Sequence, residues 1–171
     1  KEQRRAVKEK PDDFAEQRTL AQLLARSDPN SEEARVLYAE LIRRQPNDSE
    51  LRREYADLLS GDATRRESAI EEYRTLLARH PAPATRRNRA RLLAGDPTHR
   101  DEAVEQYRTL VEVDPGNPVW RDEYRQLLLS DERYRGNAIV EYRRLVQERP
   151  ADLEAKHTLA QLLAGEDPHS N

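Results

Sequence analysis

The chain has 171 residues, 36% hydrophobic and 37% charged, with a mean hydropathy of -1.07, thin material for one spherical core and better suited to units that each bury a small face against a neighbour. Its 30 basic and 33 acidic residues leave a net charge of -3, so no global field draws it onto nucleic acid or an anionic membrane. Cysteine is absent, which excludes disulfides, thiolate metal sites and a cysteine nucleophile, and no stretch approaches the roughly 18 apolar residues of a membrane-spanning helix.

Residues 1–10, KEQRRAVKEK, set Ala6 and Val7 where later units place their last apolar pair, and read as the end of a second helix. Pro11, Pro46, Pro81, Pro115 and Pro150 then open units at 11–45, 46–80, 81–114, 115–149 and 150–171, a repeat of 34 or 35 residues. In the first, Asp13 is a candidate N-cap for a helix bearing Leu20, Ala21, Leu23 and Leu24, and a second helix carries Ala34, Tyr38, Leu41 and Ile42. The second unit repeats the design: Asp48 as cap, then Leu51, Tyr55, Leu58 and Leu59 at the i, i+4, i+7, i+8 spacing of an amphipathic helix, a breaker SGDAT in which Gly61 can stop it, and Ala69, Tyr73, Leu76 and Leu77.

The third unit opens PAPAT, lacks an Asp or Asn cap and is one residue shorter before Leu92. Its first helix, TRRNRARLL, puts Arg89 in the slot that Leu20, Tyr55, Tyr124 and Leu159 fill elsewhere. Its expected state is a packed stem with the guanidinium reaching water, an anion site being the functional alternative. After AGDPT, with Gly95 as a stop, come Ala103, Tyr107, Leu110 and Val111. The fourth unit offers Asn117 as cap, Trp120, Tyr124 and the Leu127–Leu128 pair, then Ala138, Tyr142, Leu145 and Val146. Residues 150–171 hold one first helix, with Asp152 as cap and Leu159, Ala160, Leu162 and Leu163 on its apolar face. Acids start the second helices (Glu32, Glu33, Asp101, Glu102) and bases end them (Arg43, Arg44, Arg79), complementing the helix dipole. Local and long-range signals agree on an ordered all-α solenoid of antiparallel helix pairs rather than a disordered polyampholyte. With no methionine even at position 1, the chain reads as a segment of a longer protein.

Catalytic constellations are not found. His80, His99, His157 and His169 share no spacing, the carboxylates alternate with arginine as on a solvated helix face, and neither phosphate-loop motif occurs. No enzyme activity, cofactor or metal is expected, and the tyrosines at 38, 73, 107 and 142 are expected to pack in the core.

A small residue, tyrosine four on, an apolar residue three further and proline five beyond that resembles the second half of a tetratricopeptide repeat, and the large-then-small pairs Leu20–Ala21, Tyr55–Ala56 and Leu159–Ala160 resemble its first half. Tyr124–Arg125 keeps only the large residue, Arg89–Ala90 only the small one, and each unit has one more residue between its helices than the family form. The resemblance implies a right-handed superhelix and a protein-interaction scaffold whose first helices line the binding face. Its inward positions would be Arg18 and Gln22, Arg53 and Asp57, Arg87 and Arg91, Asp122 and Gln126, and His157 and Gln161. This mildly basic face is expected to select acidic protein segments, and it lacks the Lys and Asn of modules that clamp a chaperone's C-terminal carboxylate.

The arginine-heavy composition, 26 arginines to four lysines, reads as that of a GC-rich bacterium. With the absent cysteine, it is similar to the periplasmic repeat region of bacterial exopolysaccharide export proteins, which serve biofilm formation. Open solenoid ends imply end-to-end self-association. The alternative is RNA binding of the pentatricopeptide type, which shares the period but needs a basic surface, against a pI near 5.9.

Overall fold

A computed structural model describes residues 13–165, and these form nine α-helices and no strand. The expected helix end at 1–10, Pro11 and His169 lie outside the described residues. The chain divides by compactness into Lys1–Leu93 and Ala94–Asn171. The first unit contains α1 (Phe14–Ser27), α2 (Glu32–Arg44), α3 (Ser49–Ser60), α4 (Arg66–Arg79) and nearly all of α5 (Pro83–Ala94). The second contains α6 (Arg100–Val113), α7 (Pro118–Leu129), α8 (Arg135–Glu148) and α9 (Leu153–Ala164).

Helix starts follow the capping chemistry. Asp13 accepts from the amides of Ala15 and Glu16, Asp48 from Leu51, Asn117 from Trp120 and Asp152 from Ala155, at 2.9–3.2 Å. α5 instead begins on Pro83, whose ring presets φ and which has no N–H to satisfy. The breakers hold more structure than their composition suggests: 3-10 turns at Ala63–Arg65, Pro97–His99 and Glu132–Tyr134 lead into α4, α6 and α8. Asp62, Asp96 and Asp131 cap them by accepting from Thr64, Thr98 and Arg133 amides. Gly61 does end α3, but with φ -74° and no left-handed turn. Ser130 ends α7 with nearly the same geometry, φ -75°. The one described residue at positive φ is Gly165, at 90°.

In the first unit, Ala21, Ala34, Tyr38, Leu41, Leu51 and Leu58 form one core cluster and Ala56, Tyr73 and Leu76 another, with Leu92 of α5 packed on it. α1 packs on α2, α2 on α3 and α3 on α4, and the short connections make neighbours antiparallel. In the second unit α6, α7, α8 and α9 pack in sequence, and the rings of Tyr107 and Tyr124 stack with centroids 6.4 Å apart. Each unit also ties a first helix to its own second helix by a half-buried or buried ion pair, Arg52 to Glu72 and Arg121 to Glu141.

Two arginines are enclosed, and the first departs from expectation. Arg89 does not reach water: it is 5% exposed, and its Nε is buried without a hydrogen-bond acceptor. The slot lies on the packed side of α5, where the stem has no path to solvent, so the whole side chain is enclosed with its neighbours Thr85, Ala90 and Leu93. Arg125 occupies the slot filled by Ala21, Ala56 and Ala90 in other first helices, and is 4% exposed. It donates to Asp122 through Nη2 while Nη1 is buried without a partner. Tyr142, in the column of the fully buried Tyr38, Tyr73 and Tyr107, is only half-buried.

Candidate functional site

The expected inward positions of the first unit fall on α1, α3 and α5, and the structure brings most of them together. Arg18 donates from Nη2 to Glu54 at 2.7 Å and lies 3.5 Å from Asp48. Gln22 donates to the same Glu54 oxygen at 2.9 Å. Arg53 contacts Glu50 at 2.5 Å and Asp57 at 2.8 Å. Asp57 also accepts from the Tyr73 hydroxyl at 2.5 Å and from Asn88 at 3.5 Å. Arg87 is half-buried and Arg91 exposed, both on α5.

Two recesses of about 480 Å³ each open on this face and share Asp57. Gln22, Tyr38, Arg53 and Glu54 line one, and Ser60, Tyr73, Asn88 and Arg91 line the other. They repeat along the chain as the sequence does: Tyr38 and Tyr73 are equivalent, as are Glu54 and Asn88.

Electrostatics bind the face internally. Hydrogen bonding to Glu54 raises the Arg18 pKa, and bonding to Glu50 raises that of Arg53. Arg53 in turn lowers the Glu50 carboxyl below its ordinary value. Tyr38 and Tyr73 are pushed well above the ordinary phenol value, first by burial and then by the carboxylates of Glu54 and Asp57. A sum of formal charges over inward positions therefore overstates how basic the face is, because Glu50 and Glu54 lie beside them.

In the second unit the expected positions are more scattered. Asp122 on α7 is exposed and accepts from Arg125. Gln126 and His157 are exposed, whereas Gln161 on α9 is buried.

Sequence reading missed the polar column Glu54, Asn88 and Glu123. Its members lie by the tyrosine of the preceding second helix: Glu54 raises the Tyr38 pKa, Asn88 shares the Asp57 carboxylate with Tyr73, and Tyr107 donates to Glu123 at 3.3 Å. The signal was present, since a polar residue follows each tyrosine by 15 or 16 positions. The tyrosines thus do more than pack: they hydrogen-bond to the rim of the candidate face.

Among the described residues no group of three His, Cys, Asp or Glu side chains could hold a metal ion, and no helix is long and apolar enough to cross a membrane. No protein-family model and no curated protein matches the sequence. Solved structures do match. A tetratricopeptide repeat protein from Parabacteroides merdae superposes with a TM-score of 0.66 at 20% identity, over 95% of this chain and 64% of its own length. The chain has the fold of a tetratricopeptide repeat protein. A thermophilic tetratricopeptide repeat protein of Thermus thermophilus shares it, with a TM-score of 0.55 at 20% identity over 95% of this chain and 87% of that one. In this tetratricopeptide repeat fold, α1, α3, α5, α7 and α9 are the first helices of their pairs and α2, α4, α6 and α8 the second.

Proposed function

We propose that the chain is a non-catalytic protein-interaction scaffold, which holds an extended acidic segment of a partner on the first-helix face of its first unit. The two recesses sharing Asp57 carry this reading. They offer hydrogen-bonding groups on helices fixed by buried cores, so the protein pays little ordering entropy on binding. Arg18, Arg53, Arg87 and Arg91 supply the guanidinium forks suited to carboxylates. In the second unit, taken by itself, the exposed Asp122, Gln126 and His157 of α7 and α9, with the buried Gln161 behind them, are proposed as a separate contact surface. The test is the affinity for an acidic segment before and after Arg53→Glu with Arg87→Glu: a large loss is expected, and an unchanged constant overturns the assignment. Glu50, Glu54 and Asp57 on the same face would repel phosphates, which disfavours RNA.

The arginine-rich, cysteine-free composition supports a periplasmic setting within a bacterial exopolysaccharide export protein acting in biofilm formation. A full-length gene encoding a secretory leader and a downstream outer-membrane barrel is the expected finding, and one encoding cytoplasmic domains instead overturns it. Leu163 of α9, 54% exposed, and the exposed Ala160 support end-to-end self-association. Sedimentation of the wild type against Leu163→Glu tests this, and a monomer at all concentrations would exclude it.

A further inference from the structure

The recess lined by α1 and α3 changes in chemistry along its length. Toward the helix starts Gln22, Arg53, Glu54 and Asp57 are already engaged with one another, Gln22 with Glu54 at 2.9 Å and Arg53 with Asp57 at 2.8 Å. Toward the helix ends the lining is Ala25, Pro29, Leu58 and Gly61, without a polar side chain among them. The turn after α1 closes this end: a Cβ placed on Gly61 would lie 3.6 Å from the Cβ of Pro29. With about 480 Å³ open, the recess falls in the range of roughly 300–1,000 Å³ typical of ligand pockets.

One cation on its rim is uncommitted. Arg26 is exposed, and its side chain makes no hydrogen bond or ion pair with another described residue. Its column shows that it is particular to this recess: two residues after the leucine pairs of the other first helices stand Gly61, Gly95, Ser130 and Gly165. Pro29 likewise occupies the column of Thr64, Thr98 and Arg133. A carboxylate reaching Arg18 or Arg53 competes with Glu54, Glu50 and Asp57, which hold those guanidinium groups. One reaching Arg26 displaces water alone.

Resting on the reading of this face as a site for acidic segments, we propose that the recess takes a leucine-sized apolar side chain of the partner as its anchor, and that Arg26 takes a carboxylate two residues from it. In an extended chain residues i and i+2 point the same way, so one segment presents both groups to the same surface. Burial of the anchor removes its apolar surface and that of Ala25, Pro29 and Leu58 from water, while the carboxylate fixes the register through the guanidinium fork. The apolar residue, and not acidity alone, then decides which acidic segments bind.

The experiment is a titration of the 171-residue protein followed by amide NMR at low ionic strength, where exposed pairs are least screened. Three end-capped peptides are compared: Glu-Ser-Leu-Ser-Glu, Glu-Ser-Ser-Ser-Glu and Gln-Ser-Leu-Ser-Gln. The first is expected to bind about tenfold tighter than the second and about threefold tighter than the third, with the largest shifts at Ala25, Arg26 and Gly61. Gly61→Leu, a change on ordinary right-handed backbone, fills the recess and should abolish the tenfold preference. Arg26→Ala should abolish only the threefold one, whereas a mere helix-dipole role for this base would leave both ratios unchanged. Equal binding of the first peptide and either control, or ratios untouched by these variants, overturns the anchor and leaves the acidic-segment site standing. If no peptide binds, that site fails and the anchor with it.

Discussion

At the scale of single residues, the arginines separate solvated from enclosed charge. Arg89 lies in a column otherwise made of leucine and tyrosine, and a buried guanidinium costs desolvation that its contacts rarely repay in full. Arg89→Met should therefore raise stability by about 1 kcal/mol in urea denaturation, and a loss of that size would mean its contacts outweigh burial. Asp131 illustrates the solvated case. Hydrogen bonds from the Arg133 side chain and amide depress its pKa from 3.8 to about 2. The group is depressed in the folded state, so its contribution to stability is complete above the unfolded value and is lost as pH falls from about 4 toward 2. Carboxyl carbon NMR should find that midpoint near 2, and Arg133→Ala should return it toward the ordinary range. The glycines divide in the same way. Gly61 has ordinary right-handed backbone, and an added Cβ would only touch the Leu58 carbonyl and Pro29 Cβ at 3.5 and 3.6 Å. Gly61→Ala should thus be neutral or stabilising by up to about 0.5–1 kcal/mol in thermal melts. Gly165→Ala should be destabilising, because its φ is 90°.

At the scale of the element, helix identity was legible because apolar residues recur at helical spacing, as Leu51, Tyr55, Leu58 and Leu59 do, and because caps such as Asp48 act through amides two or three residues away. Interactions between elements were not. The bond from Tyr73 to Asp57 spans 16 residues, and no local pattern states which face of α3 the tyrosine meets. The basic character expected of the inward positions erred for a related reason: it counted Arg18 and Arg53 without the Glu54 and Glu50 that packing sets beside them. Arg89 was placed in the correct column, but whether a long stem finds water depends on what covers it. The first turn of α5 has no dipole partner, since the helix carries four arginines and no acid. Ala84→Glu, at an exposed first-turn position, should stabilise it by about 0.5 kcal/mol at low salt and less at high salt. An effect that ignores ionic strength would exclude the electrostatic cause.

At the scale of the whole molecule, repeats that touch only their neighbours make stability a sum of local terms. Leu41 is wholly buried in the first core cluster with α1 and α3 residues around it. Leu41→Ala should cost about 2–5 kcal/mol, and native-state hydrogen exchange should register the loss first in α1, α2 and α3. A uniform loss over all nine helices would instead mean that the chain unfolds as one block. The repeat also gives the surface of α9 a reference. Ala56 of α3 is sealed against Tyr73 and Leu76 of α4, while its counterpart Ala160 is exposed. A helix with the α4 sequence, joined through the same 3-10 turn, carries the tyrosine and leucine that cover Ala56 and has the groups to cover Ala160 in the same way. Splicing such a helix after α9 would bury Ala160 and add surface without redesigning the cores already built.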